Sequence, residues 1–289
     1  MLAMSEIQSV LIQWYEHNAR DLPWRRPGTS AWGVLVSEIM LAQTPVARVE
    51  PIWTDWMHRW PSPAHLAAEQ TSEVIRRWDR LGYPRRALWL QEAAQACVDR
   101  FDGDVPSTYD DLRSLRGVGD YTASAVLAFA FGRRAIVLDT NVRRVITRIW
   151  AGLENPAPHI TSAERQQAAE LAPVDDAAAA MWAISVMEFG ALVCTAVNPG
   201  CDQCPVRADC AWNISGRPPG PPRRTQKFEG TDRQVRGKLM AVLRAASSPV
   251  PRSTLDLVWP DSVQRARALD SLVADGLVDP IDDEHFALP

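Results

Sequence analysis

Four of the five cysteines fall close together, as Cys194, Cys201, Cys204 and Cys210, in the spacing C-x6-C-x2-C-x5-C. A cytoplasmic chain has little use for a disulfide framework there, so the thiols read as a metal site. Four sulfur ligands suit either zinc or an iron-sulfur cluster. Cys97 sits alone on a helical segment and reads as a small core residue. Two carboxylates stand in unusual company. Glu38 interrupts the apolar run VLVSEIML, where burial would disfavour its charge and help keep it protonated, although a solvated helix face is the plainer reading. Asp139 stands at the entrance of the segment NVRRV, where it is either a helix cap or a reactive group favoured by the helix dipole. Gly117-Val118-Gly119 precedes another helix start. Successive backbone N–H groups there could grip one phosphate, although a GxG turn is as often mere geometry.

The elements that must position these groups are helical through the first 215 residues, with apolar positions at three- and four-residue spacing. One helix is predicted over Trp32 to Leu41. Thr44 and Pro45 look like the N-cap and first residue of the next, which runs to Trp60. Ser107 is predicted to cap a short helix through Leu115, followed by a tight turn over residues 116 to 120 and a small-residue helix to Gly132. That is a helix-hairpin-helix pattern. AIVLD is a brief extended approach to the helix NVRRVITRIW. Trp14, Trp53, Trp56, Trp60 and Trp150 recur at helical spacing and should be core.

The proline-rich stretch GRPPGPPRR, residues 216–224, is the clearest linker. Beyond it, residues 225–289 end in a helix (SVQRARALDSLVADG) and two short strands, LVDPI and HFALP, joined by an acidic turn. The order resembles a winged helix. The fold class is therefore mainly α, with a helical core over residues 1–215 and a small C-terminal winged-helix-like domain.

The 289 residues, 46% hydrophobic, give enough chain for one large core or several smaller ones. No apolar stretch is long enough for a membrane span and the first residues lack the pattern of a signal peptide, so a cytoplasmic, monomeric protein with no membrane partner is expected. A net charge of −4 gives no bulk support for nucleic-acid binding. Lysine occurs only at positions 227 and 238.

The cysteine spacing at the end of a helical core is similar to that of the endonuclease III superfamily. LRGVGDYTA resembles its LPGVGxxTA, and VLDTNVRRV its VDGNVxRV. SEIMLAQT and LPWRR resemble segments of the MutY-type adenine DNA glycosylases within that superfamily. The resemblance covers roughly residues 5 to 215. It implies two helical subdomains: a six-helix barrel over about 31–134, and an iron-sulfur subdomain built from 1–30 and 135–215. It also implies a 4Fe-4S cluster on Cys194, Cys201, Cys204 and Cys210, with Arg207 in that loop near DNA phosphate. Glu38 is then the acid that protonates the departing adenine, and Asp139 the carboxylate beside the developing sugar cation, supported by Tyr121 and Asn141.

The resemblance further implies that Trp24 and Arg25 border the base pocket, that Gln43 and Thr44 enter the DNA at the lesion, and that Tyr83 stacks beside the oxidised guanine. Gly117, Val118 and Gly119 hold the backbone. The implied partner is double-stranded DNA carrying a mismatch, and the implied reaction is removal of adenine opposite G or 8-oxoguanine. Relatives that also cut the strand use a lysine where this chain has Tyr121, so monofunctional hydrolysis is expected.

The chain departs from the pattern at Ala42, Pro84, Arg85, Arg116, Asp120 and Thr140, with Arg116 expected to offset the charge of Asp120. An ungapped match puts Ile184 where the family often reads adenine with a polar side chain. The C-terminal 65 or so residues are too few for the NUDIX-like domain common in these enzymes, if about 100 residues are usual for such a domain. Sensing of oxidised guanine is therefore expected to stay with the core, while Arg252, Arg265 and Arg267 hold the duplex backbone. The alternatives are a thymine or uracil mismatch glycosylase of the same superfamily, or a non-catalytic DNA-binding iron-sulfur protein.

Overall fold

A computed structural model describes residues 2–220 and 228–289. The end of the expected linker (221–224) and the first residues of the C-terminal segment (225–227) lie outside the described residues. The chain divides into two compact units. One comprises Met1–Val34, Ser107–Arg113 and Val118–Arg223; the other comprises Leu35–Pro106, Ser114–Gly117 and Arg224–Pro289.

The first unit is built on the helices Met4–Asn18, Thr140–Ile146 and Asp176–Leu192. Their apolar faces meet in a core that includes Ile7, Leu11, Val142, Val145, Trp182, Val186 and Phe189, with Trp212 from beyond the cysteine loop. Trp14 packs edge-on against Phe189, the ring centroids 5.1 Å apart. The helix expected through Trp150 is α-helical only to Ile146 and continues as one π-helical turn, Thr147–Ala151, before Gly152 closes it with a left-handed φ of 68°. Part of the linker is anchored here, since the Trp212 indole N–H donates to Pro218 O at 2.9 Å.

In the second unit the helices Val46–Arg59, Thr71–Trp78 and Arg85–Arg100 carry a tryptophan cluster. Trp56 packs edge-on against Trp60 and Trp78 at 4.7 and 5.5 Å. The N-cap of Val46–Arg59 is Pro45, one residue later than expected, because the Thr44 side chain turns inward. Thr108 rather than Ser107 caps the short helix Tyr109–Ser114, its hydroxyl accepting from Asp111 N at 3.2 Å.

After the linker come the helix Asp232–Ala245, strand β1 (Val250–Pro251), the helices Arg252–Leu255 and Ser262–Ala274, and strands β2 (Asp279–Pro280) and β3 (His285–Ala287). The strands form an antiparallel sheet in the order β1-β3-β2, with Val250 opposite Phe286 and Asp279 opposite Ala287. Both strands read from the sequence are present, and β1 is an addition. The core of this segment takes in Ile75 and the partly buried Leu88. Among the described residues no helix is long and apolar enough to cross a membrane.

Candidate active site and cysteine loop

Asp139 is the N-cap of the helix Thr140–Ile146. One carboxylate oxygen accepts from the backbone N–H groups of Asn141 and Val142 at 2.9 and 2.6 Å, and the other accepts from the Asn141 side-chain amide at 2.8 Å. Part of its surface stays open, yet burial raises its pKa, opposed by those three hydrogen bonds and by the charge of Arg144. The cap reading and the reactive reading thus apply to one geometry. Three donors fix the carboxylate of a residue that is only half-buried as a whole. Tyr121, on the helix Asp120–Phe131, packs against a small cluster of Ala125, Ala128, Val137 and Ala183.

Asn141 also accepts from Arg144 Nη2 at 2.8 Å, and Arg144 Nε donates to the carbonyl of Cys194 at 2.7 Å. A continuous polar path therefore joins the Asp139 carboxylate to the start of the cysteine loop.

Cys194, Cys201, Cys204 and Cys210 line one small cavity with Arg148, Phe189 and Trp212. Burial, with the neighbouring thiols adding to it, pushes the Cys204 thiol up to about 12. Arg148 is 1% exposed. Its guanidinium stacks on Trp212 at 4.5 Å and donates to Thr195 O at 2.8 Å and to Cys194 Sγ at 3.4 Å. Its Nη2 is buried with no hydrogen-bond partner among the described residues. A buried cation with an orphaned donor beside four thiols fits a negatively charged group held by them. Among the described residues no three His, Cys, Asp or Glu side chains form a ready metal-ion site. Arg207 is paired with Asp202 at 2.7 Å.

The segment Pro23–Arg25 is a single 3-10 turn with Trp24 only 5% exposed. Arg25 is ion-paired at 2.9 Å to Glu188, a residue that sequence reasoning missed. Glu188 is completely buried and also takes two donors of the Arg20 guanidinium, both at 2.7 Å. Burial would raise its pKa, but the two arginines outweigh it and hold the carboxyl at about 2. Glu188, not the apolar Ile184, is the polar side chain of this helix beside Arg25. A charge inside the apolar segment ISVMEFG was the available signal.

Gly119 caps the helix Asp120–Phe131, and Asp120 is neutralised by Arg113 at 3.0 Å and Arg165 at 3.3 Å. Arg116, expected to do this, instead lies over Trp89 at 5.6 Å, with Glu92 3.8 Å away. Gly117 has a φ of 80°, and an added Cβ would meet Trp89 Cβ at 3.0 Å, so the turn requires glycine for both reasons. Val118 is 3% exposed.

In the second unit, Glu38 is 6% exposed on the helix Ala31–Leu41, among buried Leu35, Val36, Ile39 and Met40. At the end of this helix Gln43 is exposed in a left-handed conformation, φ 59°. Thr44 faces inward, its hydroxyl donating to Leu81 O at 2.9 Å and accepting from Arg86 Nη2 at 3.1 Å. Arg86 is buried and donates to the carbonyls of Ile39, Ala42 and Gly82. Burial brings its pKa down to about 10. It thereby ties the Gln43 loop to the turn that carries Tyr83, a role that no local pattern of the chain marks.

The family described as HhH-GPD superfamily base excision DNA repair protein matches residues 36–170. An adenine DNA glycosylase of Mycolicibacterium smegmatis is 51% identical over 280 residues, which cover 96% of this chain and 94% of that protein. A thermostable thymine-DNA glycosylase superimposes with a TM-score of 0.65 at 26% identity, covering 73% of this chain and 97% of its own. An endonuclease III trapped as a covalent intermediate with DNA gives a TM-score of 0.63 at 22% identity over 75% and 99% of the two chains, a likeness of fold.

Proposed function

The chain belongs to the adenine DNA glycosylases of the HhH-GPD superfamily of base excision DNA repair proteins, and from that premise we propose that it hydrolyses the N-glycosidic bond of adenine mispaired with G or 8-oxoguanine in double-stranded DNA, leaving an abasic site. The observation that carries the chemistry is the Asp139 carboxylate, held by three donors at a helix start and still partly open. Departure of a base needs a proton for the leaving group and negative charge beside the sugar cation. In this reading the target adenine is first flipped from the duplex. Glu38 delivers the proton, Asp139 stabilises the oxocarbenium, Asn141 keeps Asp139 in place, and Tyr121 supports the pair. Trp24 and Arg25 border the base, with Glu188 fixing Arg25.

Gly117, Val118 and Gly119 present backbone donors to a DNA phosphate without reading sequence. Gln43 and Tyr83 meet the duplex at the lesion, while Thr44 anchors their loop from inside. No lysine precedes position 227, which supports hydrolysis without a Schiff-base strand cut. Residues 225–289 are read as a winged-helix-like domain from their element order, and the working unit as a monomer.

Cys194, Cys201, Cys204 and Cys210 would hold a 4Fe-4S cluster, which supplies a cross-link that shapes the loop and a redox-capable centre. Arg148 would offset the charge of the four thiolates. Iron and zinc analysis of anaerobically purified protein tests this: about four irons per chain are expected, and stoichiometric zinc without iron overturns it. The reaction is tested with duplexes carrying A, T or U opposite G or 8-oxoguanine, with breakage read after alkali. Adenine excision, no borohydride-trapped adduct and no breakage before alkali are the expected results. Excision of T or U in place of A would favour the thymine/uracil alternative.

A further inference from the structure

Tyr83 is an exposed aromatic residue that the fold holds in an unfavourable way. Its φ is 45°, it follows Gly82 at φ 80°, and it remains 43% exposed. A bulky residue at positive φ costs free energy that burial of the ring does not recover here. Two arginines brace it. The Arg86 guanidinium lies 5.6 Å from its ring, and Arg233 Nη1 donates to its hydroxyl at 3.0 Å.

Arg233 comes from the helix Asp232–Ala245 of the C-terminal segment. The arginines expected to hold the duplex backbone are largely spoken for: Arg265 pairs with Asp256 and Arg267 with Asp232, both at 2.8 Å. Arg236 pairs with Asp275 at 2.6 Å. Arg233 has no carboxylate partner among the described residues. It also lies over the face of Phe228 at 5.2 Å, itself 51% exposed. Tyr83, Arg233 and Phe228 thus form an exposed aromatic, cationic, aromatic surface, the composition that stacks on and neutralises nucleic acid.

We propose that Arg233 is a positioning residue for recognition of the base opposite the target adenine, acting through Tyr83. Stacking by an aromatic ring tolerates any base, so a preference for one purine over another needs a polar group set at a fixed place. Arg233 occupies a lone pair of the Tyr83 oxygen and leaves the hydroxyl proton to donate outward. The oxidised purine offers at C8 an acceptor oxygen that guanine lacks. The C-terminal segment therefore takes part in lesion discrimination, contrary to the expectation that sensing stays with the core alone. The inference rests on the proposed function and extends it.

The test uses the full chain with Arg233→Ala, Tyr83→Phe, the double variant and Arg233→Lys. Each is assayed for duplex binding and single-turnover adenine excision opposite 8-oxoguanine and opposite G. Arg233→Ala and Tyr83→Phe are each expected to reduce the 8-oxoguanine to G preference about fivefold in binding, the net size of one hydrogen bond between uncharged groups. The rate at saturating enzyme should change little in Arg233→Ala. The double variant should lose no more than either single one, and Arg233→Lys should recover part of the preference. An unchanged ratio in Arg233→Ala, additive losses in the double variant, or no preference in the unaltered protein would each overturn the inference. Failure of the unaltered protein to excise adenine would overturn the proposed function alone, because the binding ratio still reads Arg233.

Discussion

The side-chain amide of Asn141 donates to Asp139 Oδ2 at 2.8 Å while its backbone N–H donates to Oδ1 at 2.9 Å, so one residue holds both oxygens of the carboxylate. Burial raises the Asp139 pKa and these bonds lower it. Replacing Asn141 by Ala removes the side-chain donor and lets the pKa rise further. If Asp139 works ionised, the acid limb of the single-turnover pH profile should move to higher pH, with a slower rate at neutral pH and near-native duplex binding. An acid limb that does not move would separate Asn141 from the titration of Asp139.

The same asparagine is crowded from behind. A Cβ added at Gly190 would lie 2.8 Å from Asn141 Cβ and 2.9 Å from its carbonyl oxygen, so the two helices approach this closely only with glycine there. Gly190→Ala should cost roughly 1–3 kcal/mol of stability through overpacking and slow excision at least about tenfold by displacing the residue that holds Asp139. Chemical denaturation and single-turnover rates measure the two effects.

Glu188 gives a pH-dependent stability of known sign. Its carboxyl sits at about 2 in the folded protein against an ordinary value of 4.5. Its contribution is therefore complete above about pH 4.5 and is lost as pH falls from there towards 2. Glu188→Gln should flatten that part of the stability profile. At neutral pH it should cost about 3 kcal/mol, because Arg20 and Arg25 are left without their anion. Melting of both proteins across pH 3 to 7 would show it.

Arg86 serves the carbonyls of Ile39, Met40, Ala42, Leu81 and Gly82 at once, and Arg86→Met would leave them short of a donor. About 3 kcal/mol of destabilisation is expected. Arg86→Lys should recover only part of it, since a single ammonium cannot span the same fork. Faster proteolysis between Ala42 and Gly82 would report the loosened loop.

What the sequence made legible was local. The hairpin glycines, the cap at Asp139 and the cysteine spacing each lie within a few residues of the chain, where turn chemistry and ligand spacing leave a signature. The pairs that hold the site rigid do not. Glu188 meets Arg20 across 168 residues and Arg233 meets Tyr83 across 150, and neither partner carries a pattern that names the other. The inward turn of Thr44 escaped for the same reason. Its partners, Leu81 and Arg86, are supplied by a distant turn, which overrode the ordinary preference of threonine for a helix start.

The core around Ile75 and Leu88 has a bearing on how the protein is made. These side chains pack with Val235, Leu239, Leu272 and Phe286, residues that leave the ribosome long after them. Synthesis proceeds at about 5–20 residues per second and domains tend to fold as they emerge. Ile75 and Leu88 must therefore stay uncovered while residues 107–223, most of the other unit, are translated. A nascent chain stalled before the helix Asp232–Ala245 would display a bare apolar face, a mark by which chaperones or proteases could tell unfinished copies from finished ones.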